Sequence, residues 1–96
     1  GCLIGIFSQE VSESHPELRK ICQKSFKGFV GELKKDLAEA KSKYAPKASF
    51  KVEDLAEYLL ATCQGAMVLA RANKDKGALA RAVNQYKNYL KMLFGQ

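Results

Sequence analysis

Residues 55–72 read LAEYLLATCQGAMVLARA. Taken as a helix, this stretch has no broad solvent face. Its strongly polar members, Glu57, Gln64 and Arg71, recur every seventh residue and make one thin stripe. Two apolar faces remain. Leu55, Leu59, Thr62, Cys63, Ala66 and Leu69 point one way, toward a core of the chain's own. Ala61, Gly65, Val68 and Ala72 make a ridge of small side chains spaced at four, seven and eleven. Small residues let another helix approach closely, and ridge-in-groove packing then sets a crossing angle.

The segment that follows repeats the two-sided pattern. NKDKG at 73–77 is a turn, and a further helix is expected from about Gly77 to Phe94. Leu79, Val83, Tyr86, Leu90 and Leu93 form one apolar line along it, and Ala78, Ala82, Gln85, Tyr89 and Met92 form a second beside the first. Arg81, Asn84, Asn88 and Lys91 are expected on the solvent side. The combined apolar arc is wider than an ordinary surface helix needs. One neighbour within the chain cannot cover both lines. A second copy of the chain can, because a two-fold dimer needs only one self-complementary patch. The expected dimer interface is Ala61, Gln64, Gly65, Val68, Ala72, Ala82, Tyr86, Tyr89 and Leu93, with two helices from each copy forming a four-helix bundle. The competing reading is that helices outside this sequence cover the second face.

Upstream, SKYAPKASFK breaks the periodicity at Pro46, and the helix over 52–73 opens with Glu53 and Asp54 at its positive end. Before the break lies a long second helix, expected from Pro16 to Lys43. Its inner stripe is Leu18, Ile21, Cys22, Phe26, Phe29, Leu33, Leu37 and Ala40. Ser14 or His15 can cap it, and Pro16 suits its first turn. A short first helix carries Leu3, Phe7 and Val11 and stops near Ser12–Ser14. It begins without a cap or a polar arm, which points to a piece of a longer protein. The expected fold is therefore all-α, an antiparallel bundle of about four helices in one domain over residues 1–96.

Composition agrees with this pattern. Of 96 residues, 47% are apolar, with two prolines and no tryptophan, so the chain is able to bury a modest core. The formal charge of +6 is concentrated in residues 16–51, which hold ten Lys/Arg against four Asp/Glu. A basic segment can meet nucleic acid or anionic lipid. Here Lys20, Lys24, Lys27, Lys34 and Lys35 fall away from the apolar stripe, as lysines solvating an outer helix face do. Cys2, Cys22 and Cys63 form no CxxC pair and no metal-ligand spacing. Their number and apolar positions point to thiols packed in a reducing compartment, hence to the cytoplasm. Gln64, with Glu57 and Arg71 on either side, argues against a membrane span.

The residues resemble the C-terminal domain of TetR-family transcriptional regulators. GCLIGIFSQEVSESHPELR is similar to the segment that opens the last half of that domain. FKGFVGELKKDLAEA fits the family's aromatic and leucine spacing through Phe26, Phe29, Leu33, Leu37 and Ala40. VEDLAEYLLATCQGAMVLARANKD resembles the next helix through Leu55-Ala56, Gly65-Ala66 and Ala70-Arg71. The resemblance covers almost the whole chain. Two departures are Phe29, where the family often has tryptophan, and Lys51-Val52, where it often has Asp-Pro.

The resemblance implies a homodimer built through the last two helices and a pocket for a small hydrophobic or amphipathic effector. It also implies contact with DNA only through an N-terminal helix-turn-helix that this chain lacks. Carried over, the pocket lies between the second and third helices and the first, with Phe7, Phe29, Leu33, Tyr58, Thr62 and Cys63 as candidates. Phe7, Phe29 and Leu33, at helical spacing, read more readily as plain core than as ligand contacts. Tyr58 and Thr62 can offer hydroxyls to a ligand or bond a backbone carbonyl. Cys63 can sense oxidants only if it is exposed beside a cation.

No cofactor, metal site or catalytic residue is expected. The acids are spread over helix surfaces, His15 is the only histidine, and no P-loop or HExxH occurs. The alternative function is a stand-alone helical module that binds a protein or nucleic acid through the Lys-rich second helix.

Overall fold

The computed structural model describes residues 11–12 and 26–95, without the side chains of residues 26–30. Among the described residues there are three helices and no strand. They are α1 (Phe26–Tyr44), α2 (Val52–Asn73) and α3 (Ala78–Leu93). The expected first helix and the start of the expected second lie outside the described residues, apart from Val11 and Ser12, which form no helix. The later helices stand within a residue of their expected limits, and the bundle is all-α.

Each boundary has a local cause. Lys51 sits in extended backbone, and its carbonyl accepts from the Asp54 and Leu55 amides at 3.1 and 3.2 Å, so α2 starts without a side-chain cap. Glu53 and Asp54 in that first turn face the positive end of the helix dipole. At the other end Lys74 takes a left-handed conformation, φ 49° and ψ 45°, and the Asp75 amide reaches back to the Ala70 carbonyl at 2.9 Å. This closes the helix as a glycine usually would. Asp75 then organises the turn. One carboxylate oxygen accepts from the Gly77 amide at 3.0 Å and the other pairs with Arg81. Those two contacts, the Arg81 guanidinium first, hold its carboxyl below the ordinary value.

The link between α1 and α2 is closed by Lys41. Its ammonium donates to the Phe50 carbonyl at 2.7 Å and lies 5.1 Å from the centre of the Phe50 ring. Phe50 in turn meets Phe94 edge-on, with centroids 5.7 Å apart. The end of α3 therefore lies beside the start of α2, so the two helices run antiparallel.

α2 is the central helix and packs against both others. Leu33 and Leu37 of α1, Leu55, Ala56, Leu59 and Cys63 of α2, and Val83, Tyr86 and Leu90 of α3 form one buried cluster with Val11 and Phe94. Burying a leucine or phenylalanine contributes about 1.5–3 kcal/mol, so this cluster is the main source of stability.

Several expectations are corrected. Leu69 is 56% exposed and does not meet the core; burial along its line on α2 ends at Ala66. Ala78, expected on the outer line, is buried. Asn84 is half-buried, not on the solvent side. It belongs with buried Ala80 and Lys87 to a third row on α3, spaced at four and three.

Candidate functional site

Among the described residues the large apolar groups left in solvent lie on α2 and α3, apart from Tyr44 at the end of α1. Val68 is 63% exposed and Met92 79%, with Tyr58, Leu69 and Tyr89 also exposed. Beside them Ala61, Gln64, Gly65 and Ala72 are exposed. A methyl group built on Gly65 would meet nothing within 4 Å. The small-residue ridge is thus exposed, and no described residue packs on Gly65.

Between the two helices this surface opens into a cleft of about 410 Å³, lined by Tyr58, Thr62, Ala82, Gln85, Tyr86 and Tyr89. The tyrosines pack against one another. Tyr58 lies 5.8 Å from Tyr86 at a tilt of 59° and 5.8 Å from Tyr89 at 89°. Edge contacts of this kind suit the ring quadrupole. Tyr86 is buried and fastens the arrangement, because its hydroxyl donates to the Leu55 carbonyl at 2.7 Å. Burial, then the neighbouring Tyr89, Cys63 and Tyr58, push its ionisation well above the ordinary tyrosine value. The Thr62 hydroxyl donates to the Tyr58 carbonyl at 2.8 Å. That is the backbone-bonding arrangement of the two that its sequence position allowed.

The cleft draws on both sets of candidate residues. Tyr58 and Thr62, expected with an effector, stand with Ala82, Tyr86 and Tyr89, expected between subunits. Leu33 and Cys63 lie elsewhere, buried at 0% and 2% exposure in the core. Phe7 lies outside the described residues, as does the Phe29 side chain. The described candidates therefore do not share one pocket: two are core and two line an outer cleft.

Cys63 is also too buried for a redox sensor, which needs an accessible thiolate. Among the expected interface residues, Ala61, Gln64, Gly65, Val68, Ala72 and Tyr89 are exposed and Ala82 is half-buried. Leu93 is half-buried and packs on the chain's own core. Tyr86 is committed to that core through its ring and its hydroxyl.

Sequence reasoning missed one polar group. The Asn84 side chain bonds the Val11 backbone twice, accepting from its amide at 3.0 Å and donating to its carbonyl at 2.9 Å. An asparagine on a helix surface carries no mark of a partner 73 residues away.

A family model described as "Transcriptional regulator LmrA/YxaF-like, C-terminal domain", of the TetR type, matches residues 1–85. The chain belongs to this family. TetR-type C-terminal domains are regulatory, not catalytic. Among the described residues of this TetR-type domain, no group of three or more His, Cys, Asp or Glu could hold a metal ion. No described helix is long and apolar enough to cross a membrane. No curated protein and no solved structure was found to match the chain.

Proposed function

We propose that this chain is the effector-binding and homodimerisation domain of a TetR-type repressor. It couples a small hydrophobic or amphipathic ligand to the release of DNA by an N-terminal helix-turn-helix that is not in this sequence. The two-fold interface is the outer face of α2 and α3, and the carrying observation is Gly65. It stands in a helix interior, where glycine costs about 1 kcal/mol relative to alanine. No described residue within 4 Å of it requires so small a side chain. A second helix crossing the ridge of Ala61, Gly65, Val68 and Ala72 supplies the requirement. Exposed Val68, Leu69, Tyr89 and Met92 then gain a partner.

The effector sits on the inner side of α2, toward α1, near Leu33 and Cys63. It acts only by binding one arrangement of the dimer better than another, since a ligand with equal affinity for both shifts nothing.

Sedimentation equilibrium of the chain from low to high micromolar concentration tests this reading. A monomer–dimer equilibrium dominated by dimer is expected. A monomer at every concentration overturns it.

A further inference from the structure

Val11 is the only apolar residue between Ser8 and Ser14. Its side chain is 4% exposed and belongs to the same buried cluster as Ala80 and Val83 of α3. Ser12, next to it, is exposed. The Asn84 amide grips the same residue, at 3.0 Å through its oxygen and at 2.9 Å through its nitrogen.

Two opposed bonds to one residue's amide and carbonyl repeat what a neighbouring strand supplies in a hydrogen-bonded pair. They satisfy both polar groups of a backbone segment whose side chain is buried, groups that would otherwise be costly to cover. The pairing also sets register. A slip by one residue would bring Glu10 or Ser12 into the place of Val11, and neither can take its position in the core.

On α3 the residues that follow Asn84 are Gln85 and Tyr86. Both line the outer cleft, and Tyr86 is fastened to α2 through the Leu55 carbonyl. One turn of α3 therefore holds the chain at Val11 on one side and the proposed interface on the other.

We propose that Asn84 is a positioning residue: a latch that locks the chain at Val11 onto α3. Its use in regulation rests on the proposed function, in which the DNA-reading head precedes this segment. A change in the placement of α3 is then passed to that head through Val11. The latch itself is a property of this chain alone.

Amide hydrogen exchange followed by NMR on the 96-residue chain tests it, with Asn84→Leu, which keeps the side chain's size and removes both bonds. The Val11 amide is expected to be protected in the wild type. In the variant it is expected to exchange on the order of tenfold faster, the loss of a bond or two of ordinary net strength. The amides of Val83 and Leu90 are expected to keep their rates. Asn84→Asp retains the acceptor for the Val11 amide and loses the donor to its carbonyl, and its Val11 rate is expected between the two.

An unprotected Val11 amide in the wild type overturns the latch, and so does a variant rate equal to the wild type. Acceleration spread evenly over the bundle also overturns it, since Asn84 would then be an ordinary stabilising residue. The mass of the same samples is read separately. A monomer with a protected Val11 amide would bring down the regulator reading and leave the latch standing.

Discussion

Substituting Gly65→Leu separates the fold of α2 from its outer face. In the single chain the new side chain meets none of the described residues, since a Cβ at Gly65 has none of them within 4 Å. The helix also gains, since glycine is about 0.8–1.0 kcal/mol worse than alanine in a helix interior and leucine is close to alanine. For a domain of this size a gain of about 0.7 kcal/mol raises Tm by roughly 3–6 °C. Between two copies the effect reverses. A leucine forced into a packed helix crossing costs about 1–3 kcal/mol, and two-fold symmetry introduces one from each copy. The dimer is then weakened by about 2–6 kcal/mol, a rise in Kd of roughly thirtyfold to four orders of magnitude. Sedimentation equilibrium reads the Kd. Circular dichroism melts, taken where both proteins are monomeric, read the fold. A folded monomer with a higher Tm is the expected product. A variant that dimerises as tightly as the wild type would remove Gly65 from the interface. A variant with a lower monomer Tm would show that the ridge is not open in the single chain.

Two further substitutions probe the bundle. Tyr86→Phe removes the hydroxyl that serves the Leu55 carbonyl and is expected to lower unfolding free energy by about 1–2 kcal/mol in a urea titration. The native state also keeps the Tyr86 proton where the unfolded chain releases it, because burial raises its ionisation above the ordinary 10.0. Stability from this source is intact below pH 10.0 and falls as pH rises beyond it, and Tyr86→Phe is expected to flatten that fall. Lys74→Gly relieves a left-handed conformation that L side chains disfavour. It is expected to raise unfolding free energy by about 0.5–1 kcal/mol after the added flexibility of the unfolded chain is set against it.

Much of the architecture was legible because helix formation is local. The spacing of Leu55, Leu59, Cys63 and Ala66, and of Val83, Tyr86 and Leu90, marks the buried faces of α2 and α3. Pro46 and the NKDKG turn mark the breaks. The site was less legible. Tyr58 stands between Gly65 of the outer ridge and Leu69 of the inner line on the helical wheel, and periodicity does not say whether its ring turns toward α1 or α3. It turns toward α3, where Tyr86 and Tyr89 offer their rings. An effector pocket that unites Tyr58 with Leu33 was therefore an assembly from two sides of one helix. Leu69 shows the same limit: its position fits the inner line, but burial depends on a neighbour being there.

The amino-acid sequence alone determined the helical class and the two-sided character of α2 and α3, because both are written in spacings of three, four and seven along one segment, while the family is carried by motifs in order along the chain. The tertiary structure decided which sides meet. It gathered Tyr58, Thr62, Gln85, Tyr86 and Tyr89 into one cleft and left Gly65 with no described residue packed on it. It also joined Asn84 to Val11. Hydrogen bonds and ring contacts between distant residues depend on how helices are placed against one another, and no period within a single helix encodes that placement.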